Sequence, residues 1–335
     1  MAEYREIQGV AVQSLASSTG TIEGQIWYDN VNGAFKLQKF LPEAWASGGA
    51  ISSARYLNAG AGTLTAGLTW GGRNIPIFSD TQEYDGSTWT SGGSYPKAIS
   101  SHGGTGLQTA ALSVGGLNPP SPPAYSDAFE YDGTTWANPS SIGRMGFGMK
   151  VSGTQTAAVA TGGGYVGGPE VRNNADTELY DGTTWTAGNP FSTARSFHGT
   201  GGTEQTTSII VGGRTGTSPS EVATTAVEEY DGTSWTAGTG YPVTIKENNG
   251  WGTTTDYIQA GGSTPSATDL VALYNGTTWT TGTSLPAPVT LNGTSQGTYN
   301  TNSGFVVAGS VSGSTSTATS EWTGAGVATQ TITTS

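Results

Sequence analysis

The sequence predicts an all-β protein: a six-bladed β-propeller of four-stranded antiparallel blades, its ring closed by an N-terminal strand that joins the last blade. Three observations carry this reading. Glycine supplies 53 of the 335 residues while charged residues fall to 11%, against about 7% and about 25% in average usage. With 10 Trp, 14 Tyr and 8 Phe the chain has the aromatic content to build a core that a disordered segment lacks. A hexad, Tyr84-Asp-Gly-Ser-Thr-Trp89, recurs with little change at Tyr131 to Trp136, Tyr180 to Trp185, Tyr230 to Trp235 and, with Asn275 for Asp, Tyr274 to Trp279. Between hexads lies a short apolar run ending in paired glycines.

The hexad tryptophans are 47, 49, 50 and 44 residues apart, and Trp45 precedes Trp89 by 44. One unit is therefore a supersecondary repeat of propeller length. The apolar runs are TAGLTWGG, TAALSVGG, TAAVATGG, TTSIIVGG, TDYIQAGG and the degenerate SGFVVAGS ending at Ser310. They alternate small and large residues, placing Leu68, Leu112, Val159, Ile209, Ile258 and Val306 in one column, the mark of a buried strand. Asp-Gly between Glu-Tyr and Thr-Trp is a hairpin signal, because such a turn needs residues that tolerate positive φ. A unit then reads as a first strand near Ala54 to Asn58 and its counterparts, a second ending in Gly-Gly, a third ending in Glu-Tyr and a fourth carrying Trp. Trp45 belongs to a fourth strand with no unit before it, and Ser320-Glu321-Trp322 to a third strand with no hexad after it. Together they complete one blade and hide two sheet edges. This divides the chain into an N-terminal extension, 1–40, a propeller, 41–322, and a C-terminal tail, 323–335.

The formal charge of −12 argues against nucleic-acid or anionic-lipid partners. The N-terminus carries acids where a secretory signal needs cations, and no apolar run reaches the ~18 residues of a membrane helix, so membrane insertion is not expected. Absence of Cys removes disulfides and thiolate chemistry and leaves His102 and His198 as the imidazoles. Both fall near the first strand of their units, without the spacing that puts two metal ligands on one element. No metal, cofactor or catalytic residue is expected, and structural roles suit both histidines. The Asp-Gly turns are one carboxylate per unit, far short of a calcium shell.

In a meander the hexad turns lie on one face, where Asp85, Asp132, Asp181 and Asp231 form a ring of carboxylates. The opposite face takes the long, irregular loops that follow each Gly-Gly and precede each new unit. All nine propeller cations fall in those loops or the strands they lead into: Arg55, Arg73, Lys97, Arg144, Lys150, Arg172, Arg195, Arg214 and Lys246. Long loops on a rigid scaffold commonly carry binding. The candidate ligand residues are Arg55, Arg73, Arg144, Arg195 and Arg214, with Tyr95, Tyr125, Tyr165 and Tyr241, and Phe191 beside them, as surfaces for sugar rings. The competing reading is that these residues stiffen and solubilise the loops.

Paired glycines followed by a spaced Tyr and Trp on a period near fifty resemble kelch repeats over about residues 41 to 322. The wording SARYLNAGAGTLTAGLTWGG followed by TQEYDGSTWTSGG is similar to kelch-like arrays of marine and cyanobacterial tailed phages. GQIWYDNVNGAFKLQ resembles a short hairpin found in many phage tail and fibre proteins, although Asp29 stands where Ser or Thr is more usual. The resemblance implies a virion structural protein, most often a tail or fibre appendage, anchored to other virion proteins through residues 1–40. Trp27, Tyr28, Phe35 and Leu37 would anchor that hairpin. Such parts occur in symmetric copies, so a homo-oligomer is expected. The loop face would then meet a host-surface glycan or a neighbouring virion protein; a capsid decoration protein and a kelch-type protein-binding module are the alternatives. Kelch copper oxidases need a cysteine-modified tyrosine, absent here. Sialidase Asp boxes resemble the DGTTW strings but have one more residue between Asp and Gly. A glycosidase needs two carboxyl groups about 5 to 9.5 Å apart, and the loop acids Asp80, Asp127, Asp176 and Glu221 form no motif that assigns them those roles.

Overall fold

A computed structural model describes residues 13–15, 24–118, 124–144, 146–167, 170–294, 296–297, 300–311 and 313–332. All regular structure among them is β-strand. The chain divides into two units, Trp45–Thr323 and a smaller one made of Met1–Ala44 with Gly324–Ser335.

The larger unit contains six four-stranded sheets in chain order. Sheet one is Ala59–Thr63, Ala66–Trp70, Thr81–Tyr84 and Trp89–Ser91, each pairing antiparallel with the next. Sheets two to five repeat this meander, beginning at Gly103–Leu107, Lys150–Gly153, Gly199–Glu204 and Asn249–Gly252. Sheet six joins Gly293–Thr294, Ser303–Val307 and Thr319–Thr323 to the N-terminal strand Ala44–Ser47. The two incomplete repeats at the chain ends therefore do share a sheet, with the Trp45 and Trp322 rings 5.0 Å apart. First strands of successive sheets lie side by side, and that of sheet six lies beside that of sheet one. This is the packing of blade-like, propeller-type sheets.

The first strands are displaced from the sequence expectation. They begin after Asn58, in the glycine-rich AGAGT, GGTGL and GTGGTE segments, and the Ala54 to Asn58 segment only forms isolated bridges through Arg55 and Tyr56. Glycine weakens strands intrinsically, so propensity points away from these segments. Crowding selects it here: a Cβ on Gly60 would stand 2.6 Å from the Thr294 carbonyl oxygen of sheet six, and one on Gly104 2.6 Å from the Trp70 ring.

The second strands behave as their pattern predicts, with Leu68, Leu112, Val159, Ile209, Ile258 and Val306 all buried. Each hexad makes a hairpin, Tyr84 pairing with Trp89 and Tyr180 with Trp185, their rings stacked at 4.7 Å. The loop holds four residues rather than two. Gly86 takes φ +92°, while Asp85 Oδ1 accepts the amides of Ser87 (2.8 Å) and Thr88 (2.7 Å). The aspartate is thus an Asx-turn cap, and Asn275 does the same for Thr277 and Thr278.

The hexad also ties each sheet to the one before. The Tyr131 hydroxyl donates to Glu83 (2.5 Å), Tyr180 to Glu130 (2.8 Å) and Tyr274 to Glu229 (2.8 Å), while Tyr84 bonds Glu321 of sheet six. Burial, then the facing carboxylate, pushes Tyr84, Tyr131 and Tyr180 up to about 12. Indole N–H groups reach the first residue of the preceding third strand: Trp89 to Thr319 (2.8 Å), Trp136 to Thr81 (2.9 Å) and Trp235 to Thr177 (2.8 Å). Trp185 packs against the cluster that holds Ala128, which like Thr81 and Thr177 stands three residues before the hexad tyrosine, and among the described residues its buried Nε1 has no partner. Ala128→Thr should therefore stabilise the protein by about 0.5 to 1.5 kcal/mol, the usual net yield of a buried hydrogen bond, read as a shift of the urea midpoint at unchanged m value; a destabilised variant would show that Trp185 is already satisfied.

The smaller unit is one sheet. Ile26–Asp29 pairs antiparallel with Ala34–Leu41, which pairs antiparallel with Gly326–Thr331, and Gln13–Leu15 runs parallel to Ile26–Asp29. The expected C-terminal tail is thus a strand, added to the edge that the N-terminal hairpin would otherwise leave open. Residues 1–12 and 16–23 of the extension, and 333–335, lie outside the described residues.

Candidate functional site

The face that carries the long loops is built around a collar that the sequence did not reveal. Two residues ahead of each first strand, one residue adopts left-handed backbone geometry: Leu57, Ser101, Gly148, Phe197, Glu247 and Leu291, with φ between 51° and 64°. Five of the six are not glycine, and such residues rarely adopt this conformation. Each local cost is offset by a hydrogen bond to the preceding sheet. Ser101 N donates to Leu57 O (3.0 Å), Gly148 N to Ser101 O (2.6 Å), Phe197 N to Gly148 O (2.7 Å) and Leu291 N to Glu247 O (3.1 Å). Leu57 N donates to Leu291 O of sheet six (2.7 Å), and Asn248 N to Phe197 O (3.4 Å). A column containing Leu, Ser, Gly, Phe and Glu has no common chemistry, which is why no sequence signal marks it.

Several candidate ligand residues lie inside rather than on this face. Arg55 is fully buried and binds Asp80 bidentately, Nη1 to Oδ1 at 2.8 Å and Nη2 to Oδ2 at 2.7 Å. Arg195 is equally buried, paired with Glu228 and donating to the Ala226 carbonyl (2.9 Å). Arg144 lies 3.3 Å from Glu178 and 3.6 Å from Asp176, Lys97 pairs with Asp127, and Arg214 pairs with Glu247 above the Phe197 ring. The expected basic face is therefore largely neutralised by acids, four of the five cations being met near the start of a third strand and Arg214 by Glu247 ahead of the first strand of sheet five. Tyr95 and Tyr241 are also core residues, 2% and 3% exposed, as is Phe191, and burial raises both hydroxyls well above the usual phenol range. Arg55, Arg195, Tyr95 and Tyr241 are thus corrected from ligand contacts to structural residues.

The sequence did hold a signal for this. Aligned by unit, Arg55 and Arg195 share a column with Ile99, Ile245 and Val289, while Tyr95, Phe191 and Tyr241 share one with Ile51, Ile142 and Leu285. Columns that accept Ile are buried, and all six of these aliphatic residues are buried. The loop acids likewise have structural partners: Asp80, Asp127 and Asp176 each serve a cation of their own sheet.

Arg73, Tyr165 and the half-buried Tyr125 remain at the surface. Arg73 borders a cleft of about 500 Å³ with Ile75, Pro76, Ile77, Ala98 and Asn118. Ile75 is 99% exposed, so the cleft offers an apolar wall beside a guanidinium and the Asn118 carboxamide, while the Asn74 amide donates to Ala54 O and Thr315 Oγ1, both at 3.1 Å. The loops are also more ordered than expected: Gly164–Gly167 pairs with Glu170–Asn173, placing Tyr165 opposite Arg172, and Arg214–Thr215 pairs with both Arg195–Ser196 and Val222–Ala223. Residues 119–123 and 168–169 of these loops lie outside the described residues.

On the opposite face the turn aspartates are exposed. Backbone amides of the turn, Thr88 foremost for Asp85 and Thr184 for Asp181, hold both carboxyls down to about 2. His102 and His198 are buried, which lowers both to about 3 and keeps the rings neutral. Among the described residues no group of three or more His, Asp or Glu side chains could hold a metal ion.

In the smaller unit the anchoring candidates divide by exposure. Trp27 is buried and Leu37 half-buried, whereas Tyr28 and Phe35 stand 37% and 41% exposed with rings 5.2 Å apart. Phe40 and Leu41, absent from the sequence expectation, are also exposed, Leu41 on the face of Phe35 and Phe40 on the other.

No protein-family model matches the chain, and no curated protein is similar to it.

Proposed function

We propose that this chain is a phage virion structural protein, a tail or fibre appendage in which a closed six-bladed kelch-like propeller is held to the particle by the smaller unit and contributes to attachment at a host-surface glycan. The observation that carries the reading is the pairing of a repetitive, heavily cross-tied scaffold with a separate small sheet whose exposed residues include Tyr28, Phe35, Phe40 and Leu41. A sheet of that size buries little on its own, and exposed aromatics in a cluster suit a protein contact. The collar hydrogen bonds and the Tyr84 to Glu321 tie support closure between sheets six and one. The Arg73 cleft is the place for a glycan, with an apolar wall for a sugar ring and donors for its hydroxyls.

The test is a pair of particle variants. Tyr28→Ala with Phe35→Ala should leave the propeller folded by tryptophan fluorescence and remove the protein from purified particles, whereas Arg73→Ala should be incorporated normally and adsorb less well to host cells. Wild-type incorporation of the first variant would sink the anchoring role. A cryo-electron microscopy map distinguishes the alternative: density on the shell lattice instead of a tail or fibre would make the protein a capsid decoration.

A further inference from the structure

Among the described residues Lys150 is a cation with no ion pair that lies among the first strands rather than in a loop. It opens the first strand of sheet three, opposite Thr161, and its side chain reaches across to sheet five, where Nζ donates to Asn249 Oδ1. Asn249 Nδ2 in turn donates to Asn292 of sheet six, to Oδ1 at 2.8 Å and to the backbone carbonyl. The ammonium thus lies among the first strands, in the innermost part of the larger unit. Two cavities of about 20 Å³ each adjoin it, and both are bordered by Asn58, His102, Lys150, Asn249 and Asn292.

The charge there is not balanced by the protein. Among the described residues no carboxylate lies within ion-pair distance of Nζ, in contrast to Arg55 with Asp80 and Arg195 with Glu228. Glu247 borders one cavity but is engaged by Arg214 and by the Thr290 hydroxyl (3.1 Å). Lys150 is half-buried, and an ammonium whose partner is an amide oxygen is left short of counter-charge, because dipoles recover less than a counter-charge does. Burial lowers Lys150 to about 8, which still leaves it charged at neutral pH, beside two neutral imidazoles.

We propose that the cavity beside Lys150 Nζ is a binding site for a small monovalent anion of chloride size. About 20 Å³ is little more than the ~10 to 15 Å³ that one water needs, so the space beside the ammonium suits a single monatomic anion. The Lys150 ammonium supplies charge as well as N–H donors, and Asn249 holds the ammonium in place. Such an ion would neutralise the one innermost cation and so tie sheets three and five together, a structural rather than catalytic role.

The test uses the full chain with bromide as the probe. Crystals equilibrated in about 0.15 M bromide, physiological ionic strength, should show an anomalous peak in contact with Lys150 Nζ, and Lys150→Met should lack it. In solution the melting temperature of the wild type should rise when gluconate is replaced by chloride or bromide at constant ionic strength, and that of Lys150→Met should not respond. A wild-type map without the peak, a peak that survives in Lys150→Met, or equal halide responses in both proteins would each overturn the proposal. Should Lys150→Met fail to fold, the wild-type map decides alone.

Discussion

Arg195→Ala should destabilise the protein by about 3 to 5 kcal/mol, the range for leaving half of a buried ion pair uncompensated. Glu228 is 3% exposed and Arg195 fully buried. Removing the guanidinium leaves the carboxylate with the Ser192 amide (2.7 Å) and no counter-charge, while the Ala226 carbonyl keeps only the Gly212 amide (2.9 Å) of its two donors. The decisive comparison is a double variant. Sheet five places Ile245 and Ala272 where sheet four has Arg195 and Glu228, and both are buried there in one apolar cluster. Arg195→Ile with Glu228→Ala therefore copies a solution this protein already uses, and should recover more than half of the single-variant loss in urea unfolding. A double variant as unstable as Arg195→Ala would mean that the guanidinium's carbonyl contacts, and not the charge pair, hold the loop.

Gly60→Ala should cost about 1 to 3 kcal/mol, the usual penalty of overpacking a filled site. The added Cβ would meet Thr294 O at 2.6 Å and Thr294 N at 2.7 Å, backbone atoms that cannot rotate aside. Because Gly60 is in sheet one and Thr294 in sheet six, the penalty also reports whether the two ends of the repeat array are pressed together. Gly326→Ala is the control, since nothing lies within 4 Å of a Cβ there and its φ is ordinary. Equal stability of the two variants would contradict contact between sheets one and six.

Much of the fold is legible because the repeats check one another. One YDG[ST][ST]W string is a hairpin signal, whereas four of them and a fifth with Asn275 for Asp, each spaced with an apolar run, specify a sheet and its recurrence. The columns also mark burial: Ile99, Ile245 and Val289 share one with Arg55 and Arg195, although an arginine taken alone in a polar loop points to the surface. The candidate site was less legible. Charge is visible in a sequence, but whether a charge is paired depends on which third strand each loop folds back upon. The cleft beside Arg73 depends likewise on how Ile75 and Pro76 lie relative to Ala98 and Asn118 of the next connection.

By itself the sequence determined the all-β class, the repeat length, the buried second strands, the hexad hairpins and the sharing of one sheet by Trp45 and Trp322, because each rests on local periodicity or on turn chemistry that acts within a few residues. Tertiary structure alone decided the rest. The first strands fall on glycine because neighbouring sheets leave no room for a Cβ, five non-glycine residues turn left-handed because an amide of the next sheet makes the bond, and the C-terminal residues become a strand because the hairpin Ile26–Leu41 offers an edge. Among the described residues Lys150 has no carboxylate partner for the same reason, since long-range packing sets its surroundings and no pattern near it in the chain does.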